Sequence, residues 1–347
     1  MKWNKQEIID LVAKMNDYWI TERKPETQDS GWVDATYYVG CMGAYRLTGD
    51  RKYLDNALAW ADKNHWEYRK FEKPAVPLYY NNGDNYNCLE TYFQLLEYLP
   101  GCDKGQEANM LKEIDLTLND PESNHWKWTD LIYMAMPAFH ICANKFKDDR
   151  YLEKAHQLFI DIRDDRALYD TEDHLWYRDA NYLPDQQLTP NGKKIFWGRG
   201  NGWAVGGIAR ALSVTSKDMK YYEEYRQTFV EMIDGLIPWQ QEDGFWRCSI
   251  VDPAQFDVPE TSGTVLISYG MALAIEIGIL DREKYLPHVL KAFEAMITVC
   301  INEEGRLGYV QRIAAAPGPV APEDSNGYAV GAFTLLCESL IHLGVIC

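Results

Sequence analysis

No pair of cysteines is spaced CxxC, and the eight that occur are scattered singly along the 347 residues. A compact disulfide framework is thereby excluded. Those in apolar helical runs, such as Cys142, Cys300 and Cys337, read as buried thiols in a reducing compartment. The seven histidines show no HExxH or other metal-ligand spacing, so neither a zinc site nor any other metal or cofactor is expected. A hydrolase serine in a GxSxG setting is missing too. Basic charge is scarce: 35 Lys and Arg face 52 Asp and Glu, for a formal net charge of −17. That balance argues against nucleic acid or an anionic membrane as a partner. No apolar run reaches membrane-spanning length. The opening MKWNKQEIIDLVAKMN interleaves charges with apolar residues and lacks the uninterrupted core of a signal peptide, so it reads as an amphipathic helix. A cytoplasmic protein is expected.

Aromatic residues, by contrast, are abundant: 12 Trp, 23 Tyr and 11 Phe. Many must fill a core, but Trp and Tyr also offer flat apolar platforms with polar edges, which suits sugar rings. Glycine concentrates in Trp197-Gly-Arg-Gly-Asn-Gly-Trp203. This run lacks the Lys-Ser/Thr ending of a phosphate loop and does not fit GxGxxG, so a nucleotide reading is weak.

Two kinds of segment alternate along the chain. Residues 50–61, 148–159, 218–229 and 281–293 each begin with an Asp suited to capping a helix. Each then places apolar residues at helical spacing, as in Leu54, Ala57, Leu58 and Ala61. Residues 3–20 and about 105–118 resemble them. Between these one-faced helices lie segments 33–47, 85–98, 129–145, 201–213, 262–277 and 326–343, which carry little charge and much Gly and Ala. A helix that is weakly polar all round belongs inside, and Gly206 and Gly207 would let neighbouring helices approach closely. Six outer and six inner helices predict an all-α, (α/α)6 barrel in one domain over 1–347. An open α-solenoid is the alternative, since repeats alone do not prove closure.

The unusual side chains recur at the starts of the inner segments: Trp32 and Asp34; Asp84; Trp126, Trp128 and Asp130; Arg199, Asn201 and Trp203; Glu260, Thr261 and Ser262; Asp324, Ser325 and Tyr328. In a barrel of alternating helices these points share one mouth, where carboxylates, aromatics and an arginine converge on a cavity. Asp84, Asp130 and Glu260 could each be a helix cap. Asp130, between Trp128 and Tyr133, is also placed for desolvation to raise its pKa, and Asp84 for like-charge repulsion to add to that. Paired carboxylates are the usual equipment of glycoside hydrolysis. Trp246 and Arg247, after the turn signal Asp243-Gly244, either border the cavity or pack a loop.

At these residues the chain resembles the unsaturated glycuronyl hydrolases of glycoside hydrolase family 105, with family 88 as a relative. Thr48-Gly-Asp-Arg-Lys-Tyr-Leu54, Trp128-Thr-Asp-Leu-Ile-Tyr-Met134, FWGRGNGW, PETSGT, GRLGYVQ and GYAVGAF carry the likeness across nearly the whole sequence. It implies an (α/α)6 barrel and a small oligosaccharide substrate, left by a polysaccharide lyase, that ends in a 4,5-unsaturated uronic acid. An acid protonates C4, water adds at C5, and the hemiketal collapses. The resemblance assigns Asp130 as catalytic acid/base and Asp84 as a second carboxylate, although Asn85 stands where many relatives carry another Asp. Arg199 and Trp203 match the R-G-N-x-W substrate-binding residues, with Asn201 between them. Arg178 occupies a place where some relatives have His, a departure that bears on the leaving sugar. Trp32, Trp128 and Tyr328 complete the expected binding set. A conventional glycosidase, a sugar epimerase or a non-catalytic helical-repeat binding protein are the competing readings.

Overall fold

The computed structural model describes residues 3–69, 83–99, 104–121 and 126–346. Asn81, Asn82 and His125, next to the expected site, and Cys102 and Cys347 lie outside them. The helices are α1 (Lys5–Glu22), α2 (Trp32–Thr48), α3 (Arg51–Lys63), α4 (Cys88–Tyr98), α5 (Lys104–Asn119), α6 (Leu131–Met134), α7 (Met136–Phe146), α8 (Arg150–Ile160), α9 (Gly198–Ser213), α10 (Tyr222–Leu236), α11 (Thr261–Glu276), α12 (Arg282–Val299) and α13 (Gly327–His342). A short antiparallel hairpin, β1 (Tyr169–Asp170) and β2 (Leu175–Trp176), interrupts the series between α8 and α9.

The burial of each helix follows its sequence. In α3 the buried residues Tyr53, Leu54, Ala57, Trp60 and Ala61 make one stripe. In α9 every residue from Gly198 to Leu212 is buried, and α13 is buried from Gly327 to Leu340. The weakly polar helices are therefore the inner ones. They touch in a ring: α2 meets α4, α4 meets α7, α6 and α7 meet α9, α9 meets α11, α11 meets α13, and α13 returns to α2. The ring is a closed barrel, not an open solenoid. Outer helices α3, α8, α10 and α12 lie against their inner neighbours α2, α7, α9 and α11, and α1 lies against α13 and α2.

Close approach of the inner helices rests on glycine. A Cβ at Gly207 would lie 2.3 Å from the Ile132 carbonyl oxygen, and one at Gly263 would lie 2.6 Å from the Gly198 carbonyl carbon. Neither distance admits a side chain, which is why α9 can press against both α6 and α11.

Two local expectations are corrected. The third inner helix, expected unbroken over 129–145, divides at Ala135 into α6 and α7. Pro137 is the cause: it has no N–H to donate, and its ring excludes the carbonyl one turn back. Helix α10 starts at Tyr222, so Asp218 lies before it and caps nothing there. The other three capping aspartates, Asp50, Asp148 and Asp281, accept from the Lys52, Arg150 and Lys284 backbone N–H groups.

Candidate active site

Inner helices all start at one end of the ring, and the singled-out side chains are gathered there. Trp32 opens α2, and Asp84 lies in a 3-10 turn, Gly83–Asn87, leading into α4. Trp128 and Asp130 precede α6, Arg199 to Trp203 form the start of α9, and Tyr328 begins α13. Ring contacts tie them together: Trp32 stacks on Tyr328 at 5.9 Å, and Trp203 meets Trp32 at 6.3 Å, Tyr328 at 5.9 Å and Tyr133 at 4.6 Å. On the other side of the mouth the Trp128 indole N–H donates to Asp84 Oδ1 at 3.1 Å.

Asp130 owes its position to a strap. The Thr129 N–H donates to the Arg178 carbonyl at 2.9 Å, and its hydroxyl donates to the Tyr177 carbonyl at 2.6 Å. This stitches the Trp128–Asp130 segment to the residues just after β2, and so sets Asp130 beside Arg178. Arg178 Nε donates to Asp130 Oδ2 at 3.2 Å, while Nη1 donates to Asp179 Oδ2 at 2.6 Å. The guanidinium lies 4.9 Å from the Trp128 ring centroid, a cation–π contact that fixes its plane. Both ends of the pair keep an open edge, with side chains 22% (Arg178) and 13% (Asp130) exposed.

Of the three carboxylates read as possible caps, Glu260 is one. Its oxygens accept from the Ser262 and Gly263 backbone N–H groups at 2.8 and 2.7 Å. Asp130 occupies the cap position of α6 but accepts no capping bond. Burial pushes the Asp130 carboxyl above the usual aspartate value. Arg178, its own backbone amide and Arg199 pull in the other direction without cancelling that push. Burial leads the causes.

The expected binding residues divide into two layers. Trp32, Trp128 and Arg178 are partly exposed at the mouth. Arg199, Asn201, Trp203 and Tyr328 lie beneath, at 0, 0, 0 and 1% exposure. Arg199 donates through Nη1 to the Gln311 carbonyl at 2.6 Å and through Nη2 to the Arg312 carbonyl at 3.0 Å. Its plane sits between Trp197 and Tyr328, so the fork faces the 309–324 wall. Asn201 accepts from the Trp176 N–H at 2.8 Å and donates to the Trp176 and Trp197 carbonyls at 3.0 and 3.1 Å. Its amide is committed to holding β2 against α9. Trp246 and Arg247 pack away from the mouth: the Trp246 indole donates to the Leu236 carbonyl, and Arg247 pairs with Asp243 and Asp257.

Sequence reasoning missed three supporting groups. Gln311 accepts from the Trp197 indole at 2.6 Å and donates to the Ala316 carbonyl at 2.8 Å. Asp179 anchors the far side of Arg178. Below the mouth, Arg210 and Glu90 form a buried ion pair, with Arg210 4.2 Å from the Tyr133 ring centroid. Gln311 lies in the quoted GRLGYVQ and Asp179 follows Arg178 directly, but nothing local marks either as a partner. Among the described residues the one acidic group spaced for a metal is Asp170, Glu172 and Asp173. Lys194 places its ammonium against all three.

The family model for Glycosyl Hydrolase Family 88 matches residues 4–343. An unsaturated 3S-rhamnoglycuronyl hydrolase of Formosa agariphila is 29% identical over 329 residues, covering 90% of this chain and 84% of that protein. A solved glycosyl hydrolase family 88 structure from Bacteroides vulgatus superposes with a TM-score of 0.89 and 32% identity, over 98% of this chain and 99% of that one. A structure described as a polysaccharide lyase does so with a TM-score of 0.89 and 33% identity, over 99% of each chain. The chain belongs to Glycosyl Hydrolase Family 88.

Proposed function

We propose that the protein removes a terminal 4,5-unsaturated uronic acid from lyase-generated oligosaccharides by hydrating the C4=C5 double bond. The observation that carries this reading is a buried carboxyl, Asp130, paired with an arginine that keeps an open edge at an aromatic mouth. Asp130 gives its proton to C4, and water adds its oxygen at C5 while its proton restores the acid. The resulting C5 hemiketal opens by breaking its bond to the ring oxygen, and the hemiacetal this leaves at C1 collapses to release the leaving sugar. A general acid–base of this kind contributes roughly 10²–10⁴-fold. Trp32 and Trp128 offer ring faces to the sugars, and Asp84 orients Trp128 through the indole N–H.

The buried layer plays a different part from the one expected of it. Arg199, Asn201, Trp203 and Tyr328 build the wall and floor, and Arg178 is the arginine left to meet the uronate carboxylate. An arginine there supplies the local positive charge that a chain of net charge −17 otherwise lacks. The six described cysteines are free and buried, which supports a reducing, cytoplasmic setting. No helix among the described residues is long and apolar enough to cross a membrane.

Ultraviolet absorbance of the conjugated double bond tests the reaction by its sign. Hydration of unsaturated disaccharides, from a panel of neutral and sulfated leaving sugars, lowers the signal. A lyase acting on intact polysaccharide raises it, and that result would replace the proposal. Asp130→Asn is expected to lose at least 10²-fold in kcat while keeping the wild-type circular dichroism spectrum. Near-wild-type turnover would move the acid role elsewhere.

A further inference from the structure

The carbon to be protonated, C4, is bonded to C5, which carries the uronate carboxylate. Any acid that reaches C4 therefore comes beside that carboxylate. In the empty site Asp130 already shares Arg178 with Asp179: Nε serves Asp130 and Nη1 serves Asp179. Neither bond uses Nη2, and the side chain stays partly open to the mouth. The Trp128 face and the Asp179 bond hold the guanidinium plane while leaving its Asp130 edge the longer, weaker contact, at 3.2 Å against 2.6 Å. A carboxylate arriving beside Asp130 meets the same guanidinium and competes for it.

We propose that Arg178 is a shared positioning residue, which orients Asp130 in the empty site and is drawn onto the uronate carboxylate when substrate binds, so that binding itself turns Asp130 into the acid. The proposal rests on the hydration reading above. Without substrate, Arg178 stabilises the ionised form of Asp130. With substrate, that stabilisation is divided and a second negative charge stands alongside, so Asp130 takes up a proton from solvent and delivers it to C4. The other charged groups that act on this pair are few among the described residues. Arg199 approaches Asp130 from α9, Asp179 follows β2 and holds Arg178, and Asp84, from the turn before α4, acts on Arg178. Arg199 and Asp179 are each held by partners within the protein. Among the described residues Arg178 alone joins Asp130 by a direct side-chain bond with an edge left at the mouth.

The test reads two pH profiles. The alkaline limb of kcat/KM reports Asp130 in the free enzyme, and that of kcat reports it in the complex. In the wild type the kcat limb is expected to lie about one pH unit or more above the kcat/KM limb. Arg178→Gln is expected to narrow the gap by raising the kcat/KM limb, leaving the share due to the uronate charge, and to raise KM. Arg178→Lys, which keeps the charge, restores part of the gap. A substrate whose uronate is a methyl ester removes the competitor and is expected to close the gap in the wild type. Coincident wild-type limbs with the natural substrate, or a gap left undiminished by Arg178→Gln, would overturn the proposal. Failure of the underlying reading looks different: Asp130→Asn would then still turn over.

Discussion

Asp130 is held in a state that works against the fold. Its carboxyl is pushed up by burial beyond what Arg178 and Arg199 restore, so the ionised form weakens the folded chain relative to the unfolded one. The sign gives a prediction. At neutral pH Asp130→Asn is expected to unfold at higher denaturant than the wild type. The advantage should fade as pH falls through the raised folded pKa towards the ordinary carboxylate range, where the wild-type residue is protonated in both states. Urea titrations at several pH values check it. At this scale the sequence was readable where chemistry is local: Trp128 and Tyr133 around Asp130 announce a desolvated carboxyl. It was not readable for the arginines. Arg199 sits in the more conspicuous motif, yet its two Nη nitrogens are taken by the Gln311 and Arg312 carbonyls. Which arginine keeps an open edge depends on loops remote in the chain.

Among the elements, the inner helices were legible because low charge and small residues along a whole helix leave it nowhere to go but inside. The division at Ala135 was not, since a periodicity reading passes over a single proline. It matters to the site: α6 is one turn long and separately aimed, and it presents Asp130 at one end while its backbone takes the press of Gly207. Gly207→Ala is expected to destabilise by about 1–3 kcal/mol, because the methyl would meet the Ile132 carbonyl rather than a side chain that can rotate away. Denaturant unfolding measures that cost. A matching fall in kcat at permissive temperature would reveal the displacement of α6.

For the whole molecule, net charge and the site act in opposite senses and at different ranges. A chain of −17 repels an anionic oligosaccharide at a distance, whereas Arg178 attracts its carboxylate on contact. Salt shortens the reach of the first from about 30 Å at 0.01 M to about 10 Å at 0.1 M ionic strength, and barely alters the second. Raising ionic strength over that interval is therefore expected to increase kcat/KM, with kcat unchanged. A decrease would mean that the mouth carries its own long-range positive field.

The ring closes where α13 returns to α2, and the fit there is tight: a Cβ on Gly40 would stand 2.2 Å from the Gly331 Cα. These two helices lie near opposite ends of the sequence, so among the inner helices this contact closes the largest loop. It is the pairing of highest contact order within the ring, and the entropy of that loop opposes the contact until it is made. Trp32 and Tyr328 ride on the same two helices and stack across the joint. During synthesis the early helices can pair with their neighbours as they emerge. The Asp130–Arg178 half of the site can form from residues 128–179 alone, and its aromatic half is completed only when α13 arrives.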